Sequence, residues 1–247
     1  NFIFRTREFE QMEIEYFCEP GTEKKVHEKW NQDCENFLVN TLWINKENLR
    51  FRAHSEEELS HYSNGTYDIE FKYPFGWWEL RGIASRTDFD LNAHMKESKQ
   101  DMSYFDPINN RKYIPYVVEP AVWLTRLLLA SLVDAYTIDE ENDRTYLKFD
   151  PKVAPIKVWV LPVVKKIGSL AKEVYNQLTN DFICEYDEVG TIGKRYARFD
   201  EIWTPFCVTI DSENYEAWKV TIRYRDSMEQ ELVDIADLNE FIRKKLK

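Results

Sequence analysis

Glycine is scarce in this chain, at 7 of 247 residues, or about 3% against an average usage of about 7%. Tryptophan, by contrast, occurs 8 times. Long hydrophobic runs are also missing. The longest apolar stretch, residues 127–133, lies between Arg126 and Asp134 and is far shorter than the roughly 18 residues of a membrane-spanning helix. The sequence therefore predicts a protein without a membrane span.

Cysteine occurs at only four positions, whose spacing offers neither a Cys-x-x-Cys pair nor a zinc-ligand pattern. A chain of this length does not depend on disulfide bonds, so we expect a reducing, cytoplasmic setting and no metal site. The chain also lacks a starting Met and the basic-then-apolar pattern of a signal peptide, and we interpret it as an internal segment. The cysteines are Cys18, Cys34, Cys184 and Cys207.

The chain is strongly acidic, with a formal net charge of −11. Phosphate affinity comes mostly from Lys and Arg, so the charge argues against a general nucleic-acid binder. The acidic excess lies in the first 151 residues, whereas the remainder is close to neutral. We therefore expect any contact with nucleic acid to be local and to lie in the second half.

A change in composition divides the chain near residues 139–155. An acidic, polar run at 139–143 is followed by a short strand pattern and by Pro151 and Pro155. Hydrophobic residues make up 43% of the chain and aromatic residues 15%, which is typical of globular proteins. The sequence predicts a first domain over residues 1–151 and a second over 152–247.

Alternating and helical hydrophobic patterns indicate an α+β first domain with an antiparallel sheet. Residues 9–17 alternate as a strand does, which places Glu13 and Glu15 on one face. Ser55 and Glu58 form a capping-box pattern for a helix that reaches residue 62. Further helices are predicted at residues 23–42 and 123–136, and further strands at 66–73, 77–85 and 113–119.

The order of elements changes after the predicted boundary. Strands and helices now alternate, which is typical of a small α/β domain. The strands are predicted at residues 156–161, 183–186, 206–210, 218–225 and 231–234, and the helices at 169–180, 193–202 and 236–246.

The densest polar cluster is residues 77–90, a predicted strand that ends in alternating charges and includes Glu79 and Arg81. If one face of this strand is buried, these groups must be paired or must face a cleft. Two interpretations stay open. The cluster is either a solvated strand with surface ion pairs or a floor of carboxylates and arginines that holds a small zwitterion and phosphates.

Several longer stretches carry specific motifs and together extend over essentially the whole chain. In the first half they are Arg-Thr-Arg-Glu-Phe-Glu-Gln-Met-Glu at 5–13, Arg-Thr-Asp-Phe-Asp-Leu at 86–91 and Ile-Pro-Tyr-Val-Val-Glu-Pro at 114–120. In the second half they are Val-Ala-Pro-Ile-Lys at 153–157 and Ile-Gly-Lys-Arg-Tyr-Ala-Arg at 192–198. With these stretches the chain resembles the glycyl-tRNA synthetases of the class II, homodimeric type.

The resemblance implies a class II synthetase-like antiparallel sheet with helices, followed by a smaller mixed α/β anticodon-binding domain. Members of this family use ATP and Mg²⁺ to activate glycine and then esterify tRNA(Gly) with it. Carried over by position, Arg7 and Arg126 would contact ATP. Glu13, Glu79 and Glu119 would surround the glycine ammonium. Carboxylates suit an ammonium group, and arginines suit phosphates.

In the second domain, we predict that one helix supplies local positive charge for tRNA through Lys194, Arg195 and Arg198. A solvated helix face without a ligand is the alternative interpretation. The resemblance also implies a homodimer, while another protein partner stays open and no membrane partner is expected.

Five positions depart from the family's pattern. Ala121 stands where the family has serine, and Trp123 where it has glycine. Trp78 and Trp203 stand where the family has small residues, and Arg81 where it has tryptophan. Because a tryptophan fills the space that a glycine leaves for close backbone approach, we expect a filled site and impaired activity in this chain. The alternative is a non-catalytic or engineered synthetase-derived scaffold that binds a protein or tRNA.

Overall fold

The protein, for which a computed structural model was obtained, is described at residues 2–55, 57–58 and 63–246. It divides into two compact units, Asn1–Asp134 and Ala135–Lys247. Each unit has its own hydrophobic core. None of the helices in the described ranges has the length and apolar character that crossing a membrane requires.

The first unit is built on an antiparallel sheet. The strands in its described residues are β1 (Gln11–Glu13), β2 (Tyr16–Cys18), β3 (Leu49–Ala53), β4 (Gly65–Tyr73), β5 (Gly76–Thr87), β6 (Tyr104–Asp106), β7 (Arg111–Tyr113) and β8 (Tyr116–Trp123). Six of them form one sheet in the order β1-β8-β5-β4-β3, with β2 also paired to β8, while β6 and β7 form a separate hairpin. The helices are α1 (Glu23–Asn36), α2 (Phe89–Ser98) and α3 (Leu124–Ala135).

One face of this sheet is apolar and is covered by α1. Ile69, Ile83 and Val118 alternate onto that face and are fully buried. Cys34 of α1 and Leu38, in the π-helical turn Phe37–Thr41 that continues α1, belong to the same core cluster. Because successive side chains of a strand point to opposite faces, the other face of β4, β5 and β8 is left for polar groups.

Most of the elements predicted for the first unit are confirmed. The helix predicted at 23–42 is α1 with its π-helical turn, and the helix at 123–136 is α3. The strand predicted at 9–17 is broken into β1 and β2, and the one at 113–119 is shifted to β8. The helix predicted from Ser55 to residue 62 lies partly outside the described residues. Strand β3, helix α2 and the β6–β7 hairpin were not predicted; α2 buries none of its side chains and so gives no apolar period.

The second unit contains a five-stranded mixed sheet. The strands of the whole unit are β9 (Tyr136–Asp139), β10 (Arg144–Leu147), β11 (Val158–Pro162), β12 (Cys184–Tyr186), β13 (Phe206–Ile210), β14 (Lys219–Tyr224) and β15 (Gln230–Asp234). Strands β9 and β10 form a separate hairpin. The sheet order is β12-β11-β13-β14-β15, with β11 parallel to β12 and β13 and the remaining pairs antiparallel. The helices are α4 (Gly168–Leu178), α5 (Ile192–Glu201), α6 (Ser212–Glu216) and α7 (Leu238–Lys245).

Helices cover both faces of this mixed sheet. Ala171 and Val174 of α4 and Ile242 of α7 pack in one core cluster with the sheet. On the other side, Phe199 of α5 packs with Leu161 and Cys207 in a second core cluster. The strands and the longer helices predicted for this half are confirmed, and so is the α+β class of the whole chain.

A hairpin, β9–β10, occupies part of the segment predicted as a linker. Arg144 of β10 donates from Nη1 to Asp200 Oδ2 in α5 at 3.0 Å and from Nε to Asp139 Oδ2 at 2.9 Å. The hairpin therefore packs with the second compact unit, which begins at Ala135. The domain boundary at residue 151 stays a prediction.

Candidate functional site

A β-bulge in β5 decides which side chains share the polar face of the first sheet. Glu79 pairs with Glu70 and Arg81 with Ile69, so Leu80 is an extra residue in β5. Strict alternation would place Glu79 and Gly82 on opposite faces, because they are three residues apart. The extra residue turns Glu79 to the face of Gly82.

Small residues form the floor of this polar face. Gly82 of β5 pairs with Ala121 of β8, and Ala84 pairs with Glu119. Ala121 in turn pairs with Glu13 of β1. The row leaves room above the sheet, because neither a glycine nor an alanine projects beyond Cβ.

Carboxylates surround this floor on several strands. A Cβ atom built on Gly82 would lie 3.7 Å from Asp68 Oδ1 and 3.8 Å from Glu79 Oε1. Asp68, on β4, is only 8% exposed, and burial raises the pKa of its carboxyl, with a further rise from the charge of Glu79. His54 Nε2 lies 2.8 Å from Asp68 Oδ2 and opposes that rise. Sequence reasoning missed Asp68, although the alternating pattern of residues 66–73 placed it on a strand.

Glu119 forms a second cluster of carboxylates with Glu13 and Glu15. Burial, together with a hydrogen bond to Glu15 and the charges of Glu15 and Glu13, raises the pKa of Glu119 to about 7. Arg86 opposes this, with its Nε 3.3 Å from Glu119 Oε2. Arg86 also binds Asp90 through Nε at 2.6 Å and Nη2 at 3.0 Å. The floor is therefore flanked by more carboxylates than arginines, which favours a cationic group.

Arg126, on α3, is buried, and its guanidinium binds Glu79 and Phe4. Its Nη1 donates to the Glu79 backbone oxygen and to Glu79 Oε2, both at 3.0 Å, and its Nε donates to the Phe4 oxygen at 3.2 Å. The guanidinium carbon lies 3.7 Å from the ring centroid of Trp123 and 4.5 Å from that of Phe4. Trp123 stacks on Phe9 with ring centroids 4.5 Å apart. The structure thus joins two of the residues predicted for the site, Arg126 and Glu79.

Arg7 lies apart from this cluster. It is exposed, and it has no hydrogen bond or ion pair with any residue in the described part of the chain. Glu13 is also exposed and accepts a hydrogen bond from Gln11 Nε2 at 2.6 Å. The predicted residues are therefore brought together as two groups, Arg126 with Glu79 and Glu119 with Glu13, while Arg7 stays unplaced relative to both.

In the second unit, α5 carries the three basic residues predicted for tRNA, but it does not expose all of them. Lys194 is exposed, and Arg198, with 48% of its side chain exposed, donates to Asp187 Oδ2 at 2.6 Å. Arg195 is 1% exposed and donates from Nη1 to the backbone oxygens of Pro162 at 2.8 Å and Asp187 at 3.0 Å. The prediction of local positive charge from all three residues of this helix needs a correction at Arg195, which is turned into the core, where it supports two chain segments.

The matched family and relatives cover both units. The anticodon binding domain family matches residues 157–245. Glycine–tRNA ligase of Acetivibrio thermocellus is 56% identical over 96% of this chain, and those of Alkaliphilus oremlandii and Clostridium kluyveri are 52% and 53% identical over 100% of it. Over 96% to 100% of its length, the chain is therefore similar to glycine–tRNA ligases. It spans about half the length of these curated relatives, 52% to 54% in each case.

This similarity confirms the resemblance carried by the motifs, and the matched anticodon binding domain lies within the predicted second domain. Two of the tryptophans by which this chain departs from the family's pattern lie in different surroundings. Trp78 is 47% exposed and meets Phe4 edge-on, with ring centroids 6.0 Å apart. Trp203, in the second unit, has a φ of 80° and a buried Nε1 without a hydrogen-bond partner among the described residues. Trp78 is thus largely exposed, whereas the polar atom of the Trp203 ring is buried.

Proposed function

We propose that this chain supplies the glycine pocket and the anticodon-binding domain of a glycine–tRNA ligase. In this proposal the complete protein activates glycine with ATP and transfers it to tRNA(Gly) in the cytoplasm, as a homodimer. The observation that carries the proposal is the ring of carboxylates, from Asp68, Glu79 and Glu119, around a floor of glycine and alanine. The similarity of this chain to glycine–tRNA ligases supports the same reaction.

The proposed pocket recognises glycine through its ammonium group. Glu13, Glu79 and Glu119 accept hydrogen bonds from the ammonium, and its positive charge relieves the repulsion among the carboxylates. That repulsion and burial hold the pKa of Glu119 at about 7, so an ammonium bound beside it favours the ionised form. The carboxylates crowd the space above Gly82, and we propose that this crowding excludes amino acids with larger side chains.

Arg7 and Arg126 are the proposed ligands of the ATP phosphates. Each arginine would stabilise the negative charge that develops as the glycine carboxylate attacks the α-phosphorus and pyrophosphate leaves. The guanidinium of Arg126 is bonded to Glu79, so phosphate binding there requires that contact to be shared or exchanged. Groups of three or more His, Cys, Asp or Glu side chains suited to a resident metal ion do not occur among the described residues. As an expectation from the similar ligases, Mg²⁺ enters the proposal with ATP, as the counter-ion of its phosphates.

The test of this proposal is glycine-dependent exchange of pyrophosphate into ATP, measured with the complete protein. Replacing Glu119 by glutamine removes one charged acceptor, and we expect kcat/KM for glycine to fall about 10- to 100-fold. The matched control is Glu97→Gln, since Glu97 lies exposed on α2 and no change is expected. Equal activity of both variants would show that Glu119 does not take part in recognising glycine.

A second function, a non-catalytic scaffold that binds a protein or tRNA, is favoured by the contacts of Trp123. Its ring stacks on Phe9 and lies against the Arg126 guanidinium, so aromatic groups fill space beside the proposed phosphate ligand. Calorimetric titration with a non-hydrolysable glycyl-adenylate analogue separates the two functions. Binding supports the ligase, whereas a folded protein that binds no analogue but binds tRNA supports the scaffold.

Recognition of tRNA is proposed for the second unit, through Lys194 and Arg198 of α5. Both side chains are solvent-exposed at least in part, and the second half of the chain is close to neutral. Replacing both by alanine should weaken tRNA binding and reduce its salt dependence, because fewer phosphate counterions are released. The control is Lys219→Ala, which removes a cation paired with Asp234 on β14 and β15. Unchanged affinity and salt dependence in the double variant would contradict this assignment.

A further inference from the structure

A cavity of about 290 Å³ opens on the apolar side of the first sheet, beside α1. Its walls come from the neighbouring strands β1, β8 and β5 and from α1. Its volume is near the lower end of the range for small-molecule pockets. The apolar side chains that line it are Met12, Ile14, Trp30, Phe37, Pro120 and Val122. This cavity is separate from the carboxylate floor, because it lies on the other face of β5.

Arg81 lies in the lining of this cavity and is buried without a partner. It is 7% exposed, and in the described part of the chain no hydrogen bond or ion pair reaches its guanidinium. Burial lowers the pKa of Arg81, which is the mark of a cation that has lost water without gaining an anion. Leaving a charged group buried and unpaired costs several kcal/mol. An anion that entered the cavity would remove that cost.

The residues around Arg81 do not supply such an anion. Asp33 is the one acidic residue in the lining, and its carboxylate is paired with Lys29 along α1. Cys34 lies close enough to act on Arg81 by charge, but burial raises the pKa of its thiol, which keeps it neutral. The described residues that line the cavity therefore leave the charge of Arg81 uncompensated.

The side chains at the mouth of the cavity indicate the chemical character of the rest of the ligand. Met12, Ile14 and Phe37 are 44%, 43% and 40% exposed, so apolar surface faces solvent next to the buried cation. A ligand that covers these side chains gains hydrophobic free energy in addition to the ion pair. A carboxylate matches the planar, two-pronged geometry of a guanidinium.

We propose that this cavity binds a small organic acid, whose carboxylate pairs with Arg81 and whose apolar body packs between Trp30 and Phe37. The site is independent of the proposed glycine pocket. Gly82, next in sequence, points to the opposite face of the sheet, toward Asp68 and Glu79.

The experiment compares an acid with its uncharged amide, using the full chain. The probes are 4-phenylbutyrate and 4-phenylbutyramide, titrated by calorimetry and by the fluorescence of Trp30, which lines the cavity. We expect the acid to bind at least about tenfold more tightly than the amide, which corresponds to about 1.4 kcal/mol. Equal binding of acid and amide, or no binding of either at about 10 mM, overturns the proposal.

The variant Arg81→Leu tests the role of the guanidinium. Because it replaces an unpaired buried charge by an apolar side chain, we expect it to fold with a raised Tm and to lose the preference for the acid. The matched control, Arg5→Leu, removes an exposed arginine of the same unit and should bind the acid as the parent does. A folded Arg81→Leu variant that still prefers the acid contradicts the proposal. Pyrophosphate exchange tests the ligase function separately.

Discussion

Glu79 and Gly82 face the same side of one strand, and Glu79 Oε1 would lie 3.8 Å from a Cβ atom on Gly82. Three residues separate them, so the arrangement depends on the extra residue at Leu80. The same Glu79 accepts a hydrogen bond from Arg126 Nη1 at 3.0 Å. A single bulge thus brings a carboxylate to the small-residue floor and joins that carboxylate to the buried arginine of α3.

The space above Gly82 predicts how substitutions there behave. A Cβ atom would make only ordinary contacts, at 3.7 Å and 3.8 Å, so Gly82→Ala should change the free energy of unfolding by less than about 1 kcal/mol. Gly82→Leu should abolish binding of the glycyl-adenylate analogue, because its side chain enters the carboxylate ring. Urea unfolding and calorimetry measure the two effects.

The control for Gly82→Ala is Gly21→Ala. Gly21 has a φ of +90° and open space where a Cβ would lie, so backbone strain alone should lower its stability by about 1–2 kcal/mol. If Gly82→Ala is the more destabilising of the two, the floor is tighter than the structure indicates.

Glu119 predicts a pH-dependent stability. Its pKa in the folded protein is raised to about 7 from an ordinary 4.5, so the folded state binds the proton more tightly than the unfolded state. The stability that this proton contributes is therefore lost as pH rises from about 4.5 to about 7. Glu119→Gln removes this loss and should stabilise the protein by about 1–3 kcal/mol at pH ~8, with little effect at pH ~4.

Urea unfolding at several pH values measures this difference. Arg86 keeps its bonds to Asp90 in the variant, so no unpaired charge is created. Glu97→Gln, on the exposed side of α2, should leave the pH profile of the parent unchanged. A stabilisation by Glu119→Gln that is the same at both ends of the pH range would contradict the raised pKa.

The buried pair of Asp200 and Arg223 predicts a large stability effect in the second unit. Asp200 accepts from Arg223 Nη1 at 2.8 Å and Nη2 at 2.9 Å, and also from Arg144 Nη1 at 3.0 Å. Asp200→Asn leaves the buried Arg223 without its anion, while Arg144 keeps Asp139, and we expect a loss of about 3–5 kcal/mol in urea unfolding. The exposed pair of Lys219 and Asp234 is the control, and Asp234→Asn should cost less than about 1 kcal/mol. Similar losses in both variants would show that the Asp200 network is not desolvated as described.

The backbone at Trp203 predicts an unusual preference for glycine. Its φ of 80° lies where side chains are strained. Trp203→Gly and Trp203→Ala both remove the ring that meets Phe149 edge-on, with centroids 6.2 Å apart, so their difference reports the backbone alone. We expect the glycine variant to be more stable than the alanine variant by about 1–2 kcal/mol, measured as a difference in unfolding free energy. At Trp77 in β5 the same pair should show the opposite order, because strand backbone disfavours glycine.

Sequence patterns were sufficient for much of the fold. The period of residues 66–73 and 77–85 identified β4 and β5, and the helical pattern of residues 193–202 identified α5. The sites were less predictable. The motif placed Arg195 beside Lys194 and Arg198 as if all three shared one surface, whereas packing against β11 turned Arg195 inward to the Pro162 oxygen. Asp68 carried no motif and joined the carboxylates only through the pairing of β4 with β5.

By itself the sequence determined most of the local elements and the similarity to glycyl-tRNA synthetases, because hydrophobic period and motif residues are properties of contiguous segments. The tertiary structure alone decided which side chains share a face. In a regular strand that choice follows from a period of two, but a bulge reverses it, and nothing within residues 77–85 reveals the bulge without the partner strand. For the same reason Glu79 and Gly82 meet on the carboxylate face, while Arg81 between them lies on the apolar one, without a partner among the described residues.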